Sequence, residues 1–224
     1  MESNQLSTKS IILWAGAAIS IAVIAVVVVK LASPGDGGEG GIVSTLDPVS
    51  ETDWVQGSNT LPITLIEYSD FQCPACASYY PLIERVVSDY KDSLRFVYRH
   101  FPLPYHLQAK PAAYAAEAAG KQGKFWEMYR LLFEGHDDWA EKADAEKTFA
   151  SYAERIGLDM EQYRTDAASS EVKTNVDNDY RSGVRAKVNA TPTFFLNGVK
   201  LQNPSSYESF KQIIDAALAT STSS

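Results

Sequence analysis

The chain has 224 residues, 45% of them hydrophobic and 21% charged, with 20 basic and 28 acidic side chains and a net charge of −8. This is ordinary globular usage and argues against disorder over the whole length. Two cysteines are too few for a disulfide-dense scaffold or a four-cysteine zinc site. The acidic balance speaks against nucleic acid as a partner, because counterion release needs a basic face.

The first feature along the chain is Ile11–Val29, 19 residues whose most polar member is Ser20. As a helix this run spans about 28 Å, close to the hydrocarbon thickness of a bilayer. A buried core helix would normally show a polar face. A cleaved signal peptide would have a shorter apolar region, a more basic start than Lys9 offset by Glu2, and a small-x-small site that Lys30 spoils. The expectation is an uncleaved signal-anchor, with residues 1–10 as a cytoplasmic N-terminus and 11–31 as a transmembrane helix. Lys9 and Lys30 lie on opposite sides of the run, so charge alone leaves its orientation nearly tied. Residues 32–52 carry five glycines within Gly35–Gly41 and read as a flexible linker. One domain, 53–224, follows.

Within it, Leu61–Tyr68 is an apolar, β-branched run that reads as a buried strand. Cys73–Tyr90 has helical spacing through Ala77, Tyr80, Ile83 and Val87. Pro74 suits its first turn, whereas Pro81 is awkward in its interior and a candidate kink. Leu94–His100 reads as a second strand. A helical block of about 106–187 comes next, with helices expected over Gln108–Gly120, Lys124–Phe133, Ala143–Ile156 and Ser170–Lys187. Thr193–Leu196 and Val199–Leu201 flank Asn197-Gly198, a strong hairpin signal. A last helix starts after Ser205-Ser206-Tyr207-Glu208, a capping-box pattern. The order is β-α-β, a helical block, then β-β-α.

Cys73-Pro74-Ala75-Cys76 follows a strand and opens a helix. The free N–H groups and partial positive charge of a helix start favour a thiolate at Cys73, and a thiolate is the attacking species in disulfide exchange. A fall in its pKa from ~8.5 to ~5 would stabilise the reduced form by about 2.7 kcal/mol at pH 7, roughly 60 mV toward an oxidant. Ala75 adds no charge, so moderate oxidising strength is expected. An inert structural disulfide and two buried thiols are the alternatives for an isolated pair. Zinc would need two more ligands, and His100, His106 and His136 show no matching spacing; no metal and no cofactor are expected.

Three further residues support the exchange reading. Thr191-Pro192-Thr193 stands at the entrance to the third strand, where Pro192 as a cis-proline would present the Thr191 backbone to an extended substrate. Its alternative is a plain strand-start proline. Glu67, six residues before Cys73 in an apolar strand, would be partly buried with a raised pKa, able to accept and return the Cys76 proton. Asp70 reads as a turn or cap before the helix. His100 reads as structural, and the aromatics Phe125, Trp126, Tyr129 and Phe133 as core.

Together, Glu67–Cys76, Tyr98–Leu103, Lys124–Met128 and Ala190–Gly198 resemble the membrane-anchored DsbA-like thiol–disulfide oxidoreductases of bacteria, over about residues 47–219. The resemblance implies an α/β architecture, a thioredoxin fold with an inserted helical subdomain, preceded here by the transmembrane helix. It implies Cys73 as nucleophile, Cys76 as resolving cysteine, Pro192 as cis-proline, Thr191 as substrate contact and Glu67 as buried acid. Well-known strong oxidants of the group have histidine where Ala75 stands, which bears on the strength of oxidation. The expected function is disulfide donation to extracytoplasmic client proteins with reduced cysteines. A membrane oxidase, quinone-linked, would reoxidise Cys73–Cys76, and the chemistry places the domain outside the cell membrane. The rivals are a reductase or isomerase of the same fold, or a non-catalytic membrane-tethered binding domain whose disulfide is a staple.

Overall fold

A computed structural model describes residues 46–221, which fall within one compact unit. The expected N-terminus 1–10, the anchor 11–31 and the linker as far as residue 45 lie outside the described residues. Among the described residues no helix is long and apolar enough to cross a membrane.

In chain order the elements are β1 (Trp54–Gln56), β2 (Ile63–Ser69), α1 (Pro74–Asp89), β3 (Leu94–His100), α2 (Ala109–Gly120), α3 (Phe125–Glu134) and α4 (His136–Trp139). They continue with α5 (Ala145–Arg155), α6 (Met160–Ala168), α7 (Ser170–Arg185), β4 (Thr193–Leu196), β5 (Val199–Lys200) and α8 (Tyr207–Ser221). The strands form one sheet in the order β1-β3-β2-β4-β5. β2 and β3 run parallel, joined through α1, while β1, β4 and β5 pair antiparallel to their neighbours. This is a thioredoxin-type mixed sheet with α2–α7 inserted between β3 and β4.

Side-chain alternation divides the sheet into two faces. Ile63 and Leu65 of β2 join Leu94, Phe96 and Tyr98 of β3 in the larger core, which α1, α8 and the inserted helices cover. Ile66, Tyr68 and Val97 point the other way, against Phe101, Ala186, Val188 and Phe195. Both faces are covered, which is why β2 reads as a continuous apolar run. α7 approaches the second face closely: a Cβ on Gly183 would lie 2.5 Å from the Phe101 ring.

Three elements lack a clear sequence signal. β1 is a three-residue edge strand held to β3. α4 is a single turn. α6 buries only Tyr163 and Asp166 and is started by Asp159, whose carboxylate accepts from the N–H groups of Glu161 and Gln162. Elsewhere the differences are local. α1 continues through Pro81, which stands on an exposed side. α8 is capped by Ser206, whose Oγ accepts from Ser209 N–H at 3.2 Å, so the Ser205/Glu208 capping box does not form.

Residues 46–52, the last part of the expected linker, are held against the second face. The Arg99 guanidinium donates to the carbonyls of Asp47 and Pro48, both at 3.0 Å, and forks onto Asp53 at 2.6 and 2.9 Å. Arg185 pairs with Asp47. The packed structure therefore starts ahead of Asp53, because a buried guanidinium needs acceptors that this segment supplies.

Candidate active site

The site is built where β2 turns into α1. Asp70 shapes the turn: its Oδ1 accepts from Gln72 N–H at 2.8 Å, and its backbone carbonyl accepts from Cys73 N–H at 3.0 Å. Its Oδ2 accepts from Leu103 N–H at 2.9 Å and meets His106 Nδ1 at 2.7 Å. The expected turn-forming role is thus joined to a latch onto the segment after β3. Gln72 does the same from the other side. Its Nε2 donates to the Ala140 carbonyl and its Oε1 accepts from Gln108 N–H, each at 2.6 Å. His136 Nε2 meets the Gln72 carbonyl at 2.9 Å. Gln72, His106 and His136 tie the cysteine loop to the inserted helices. None of the three carries a local sequence signal for that task, since their partners are 36 to 68 residues away.

Cys73 occupies the cap position of α1, with Pro74 in the first turn. Both cysteines are free thiols in this structure. Cys73 is the more accessible, 7% exposed against 1% for Cys76. The Cys76 thiol beside it lowers the Cys73 pKa to about 5, with help from Thr191 and the N–H groups of Cys76 and Ala75, against the opposing effect of burial. Burial raises Cys76 well above the ordinary thiol range, and the neighbouring charges of Cys73 and Glu67 add to it. The two thiols thus diverge in the way an exchange pair needs: one sulfur is a ready thiolate and leaving group, the other a protected thiol.

The Thr191–Pro192 peptide is cis. Cys73 Sγ lies 3.5 Å from the Thr191 carbonyl oxygen, which accepts from it when the thiol is protonated. The structure therefore brings Thr191 and Pro192 to the cysteines from the far end of the chain, 118 residues from Cys73 to Thr191. Asn203 Nδ2 donates to the Pro192 carbonyl at 2.6 Å and braces this loop.

Glu67 lies on the α1-facing side of β2 and is 2% exposed. Burial raises its pKa to about 7, slightly opposed by the Ser69 hydroxyl, and the Cys73 charge adds to the rise. Glu67 and Cys76 feel each other's electrostatics. A carboxyl with that pKa, near a buried thiol, has the properties of a proton acceptor and donor at neutral pH. His100 is buried in a different set of contacts. Its Nε2 meets Glu117 Oε1 at 3.1 Å, and Glu117 also accepts from Trp54 Nε1 and Asn175 Nδ2. Its backbone N–H donates to Asp179 at 3.0 Å.

Among the described residues no group of three or more histidine, cysteine and acidic side chains is arranged to hold a metal. Beside the Asp70–His106 latch, Pro102, Leu103, Pro104 and Tyr180 help line a depression of about 360 Å³, with Tyr105 and Leu107 exposed nearby.

The profile of the family described as "Thioredoxin" matches residues 49–216, three quarters of the chain. The chain belongs to the thioredoxin family. Its fold is similar to that of oxidised BdbD from Bacillus subtilis, with a TM-score of 0.68 and 22% identity, covering 77% of this chain and 96% of that one. The likeness extends to α-DsbA1 of Wolbachia pipientis, with a TM-score of 0.70, 21% identity and coverage of 78% and 94%. The catalytic domain of Proteus mirabilis ScsC matches at a TM-score of 0.64 and 16% identity, covering 79% and 94%. By sequence, the chain is 37% identical over 82% of its length to a protein named Na(+)/H(+) antiporter NhaA 3 from Salinispora tropica, of which it spans 28%. It is 40% identical over 71% of its length to an NhaA 1 antiporter of Mycolicibacterium vanbaalenii, of which it spans 26%. The chain therefore spans about a quarter of the length of these curated relatives. A Cys-Pro-Ala-Cys pair on a thioredoxin fold supports thiol–disulfide oxidoreductase chemistry, and the divergent cysteine environments are consistent with it.

Proposed function

We propose that this thioredoxin-family domain introduces disulfide bonds into extracytoplasmic proteins. A client thiolate attacks Cys73 Sγ of the oxidised pair. The Cys73–Cys76 bond breaks, Cys76 leaves with the electron pair, and Glu67 supplies its proton. The client's second thiolate then attacks the client sulfur of the mixed disulfide and releases Cys73 as a thiolate. The client is left oxidised and the pair reduced. Thr191 and Pro192 contact the backbone of the client next to its cysteine. A membrane oxidase takes the two electrons and restores the disulfide.

The observation that carries this reading is the low Cys73 pKa beside a protonated, buried Cys76, since a stabilised reduced form makes the disulfide oxidising. Ala75 contributes no charge, which favours moderate strength. The apolar run Ile11–Val29 supports a single-pass anchor, with the catalytic domain on the extracytoplasmic side. The curated relatives are named as antiporters, which supports a place at a membrane for this domain.

The test is equilibration of the whole chain with glutathione buffers, reading the Cys73–Cys76 potential. A value of about −120 to −180 mV supports donation, about −270 mV supports a reductase, and a value below about −300 mV marks a structural disulfide and sinks the enzyme reading.

A further inference from the structure

Beneath the cysteine pair, two buried tyrosines share the core with the buried acid and feel its charge. Tyr98 of β3 stands opposite Glu67 in the parallel register with β2. Tyr129 of α3 packs edge-on to Tyr98, with ring centroids 5.2 Å apart. Both tyrosines are almost wholly inaccessible. Glu67 Oε2 and the two hydroxyl oxygens have no hydrogen-bond partner among the described residues. Leaving one such buried group unpaired costs about 1–3 kcal/mol. Several such groups in one part of the core would each be satisfied by a shared internal water.

The surroundings narrow what this site can do. α1 brings Cys76 and Tyr80 to it, with Cys73 at the helix start. The end of β2 brings Ser69 and Asp70. β4 places Phe194 in register with Glu67 and contributes no titratable group there. Each hydroxyl is influenced electrostatically by both Glu67 and Cys76, and burial keeps both tyrosines neutral and able to donate. Tyr129 is also influenced by Glu84 and Tyr80. Tyr80 packs edge-on to Tyr129 at 5.7 Å, and its hydroxyl donates to the exposed Glu134 at 3.3 Å.

We infer that the Tyr98 and Tyr129 hydroxyls hold a buried water against Glu67 Oε2, and that this bridge positions the Glu67 proton for Cys76 and replaces it from the Tyr80–Glu134 side. The inference rests on the proposed proton role of Glu67. When the disulfide opens, the departing Cys76 thiolate takes the Glu67 proton. The carboxylate recovers one from solvent through the water and hydroxyls. Closing the disulfide runs the same transfers in reverse. Tyr98 and Tyr129 are positioning residues here, since they act through Glu67.

The experiment uses the whole reduced chain and its Tyr98→Phe, Tyr129→Phe and Glu67→Gln variants. Two quantities are read against pH: the infrared band of the protonated Glu67 carboxyl, and the rate of disulfide closure, which requires Cys76 to lose its proton. The Cys73 thiolate absorbance is the control. The expected result is that each phenylalanine variant raises the Glu67 midpoint by up to about one pH unit and slows closure about fivefold at neutral pH. The Cys73 midpoint stays in place, which a general loosening of the core would not allow. If Glu67→Gln removes the band and the pH step while neither phenylalanine variant moves them, the tyrosine inference is overturned and the Glu67 reading stands. If Glu67→Gln leaves the pH step intact, the Glu67 reading fails and the inference with it. Phenylalanine keeps both rings, and either variant alone decides the outcome if the other does not fold.

Discussion

Two neighbouring residue pairs on β2 and β3 have opposite fates. Tyr68 and Arg99 face one side of the sheet, while Glu67 and Tyr98, one step back in the same register, face the other. Every N–H of the Arg99 guanidinium has a use: two go to Asp53, two to backbone carbonyls, and one to the Tyr68 hydroxyl at 2.9 Å. Tyr68 is in turn 2.8 Å from Ser182 Oγ, which donates to the Asp179 carbonyl. Glu67 and Tyr98, equally buried, keep unpaired oxygens. A saturated polar network fixes geometry. One with spare valences under a redox pair is open to proton traffic. Burial does not distinguish these two pairs, whereas their hydrogen-bond saturation does.

The sharpest way to break this contrast is at the cysteines themselves. Cys73→Ala is expected to reduce thiol oxidation of a model peptide to the uncatalysed rate while the chain still folds. Cys76→Ser should trap a mixed disulfide visible by mass spectrometry. A Cys73 variant that instead unfolds, with no trapped adduct from Cys76→Ser, would favour the structural-staple reading.

On the saturated side, Arg99→Ala strands the buried Asp53 carboxylate. Removing one member of a buried pair costs about 3–5 kcal/mol, read as a lower denaturant midpoint, while the Cys73 pKa stays near 5. A shift in both quantities would mean that the two faces are coupled.

The unsaturated side gives a pH signature. The folded pKa of Glu67, about 7, lies above its ordinary value of 4.5, so the folded state holds an extra proton between those values. Its contribution is fully present below pH 4.5 and is lost as pH rises through 7, a change of about 3 kcal/mol for this group. In the reduced protein Cys73 works in the opposite sense. Its folded pKa is depressed, so its contribution grows as pH rises above about 5. Unfolding of Cys73→Ala should therefore show the Glu67 decline plainly. Adding Glu67→Gln should flatten it over that window. Unchanged slopes would mean that Glu67 is not the titrating group.

A smaller effect is expected far from both networks. Ser206→Ala should cost about 1 kcal/mol by loss of the α8 cap, whereas Ser205→Ala should cost almost nothing. Equal losses would return the cap to the capping-box position.

Much of the architecture is legible from local pattern. The β2, β3 and β4 strands, the long helices and the Asn197-Gly198 hairpin announce themselves by periodicity and turn chemistry. So does the chemistry concentrated in Cys73–Cys76, because a strand, a cysteine pair and a helix start adjoin in sequence. Glu67 is legible because a carboxylate in an apolar strand is conspicuous. Tyr98 is not, since a tyrosine in a strand is ordinary, and its meaning comes from Tyr129 on a helix 31 residues away. Gln72 and Glu117 are opaque for the same reason. β1 and α6 are short and owe their form to tertiary partners, which no window of the sequence contains. The docking of the Asp47 and Pro48 carbonyls onto Arg99 is likewise invisible beside a glycine-rich stretch.

That last contact has a mechanical meaning. A pull applied to the chain ahead of the described residues would enter this domain at Asp47. There the Arg99 fork, Arg185 and the short β1–β3 pairing take the load. Cys73 and Cys76 belong to the core on the opposite face of the sheet, so such a load would meet the strands before the sulfur atoms.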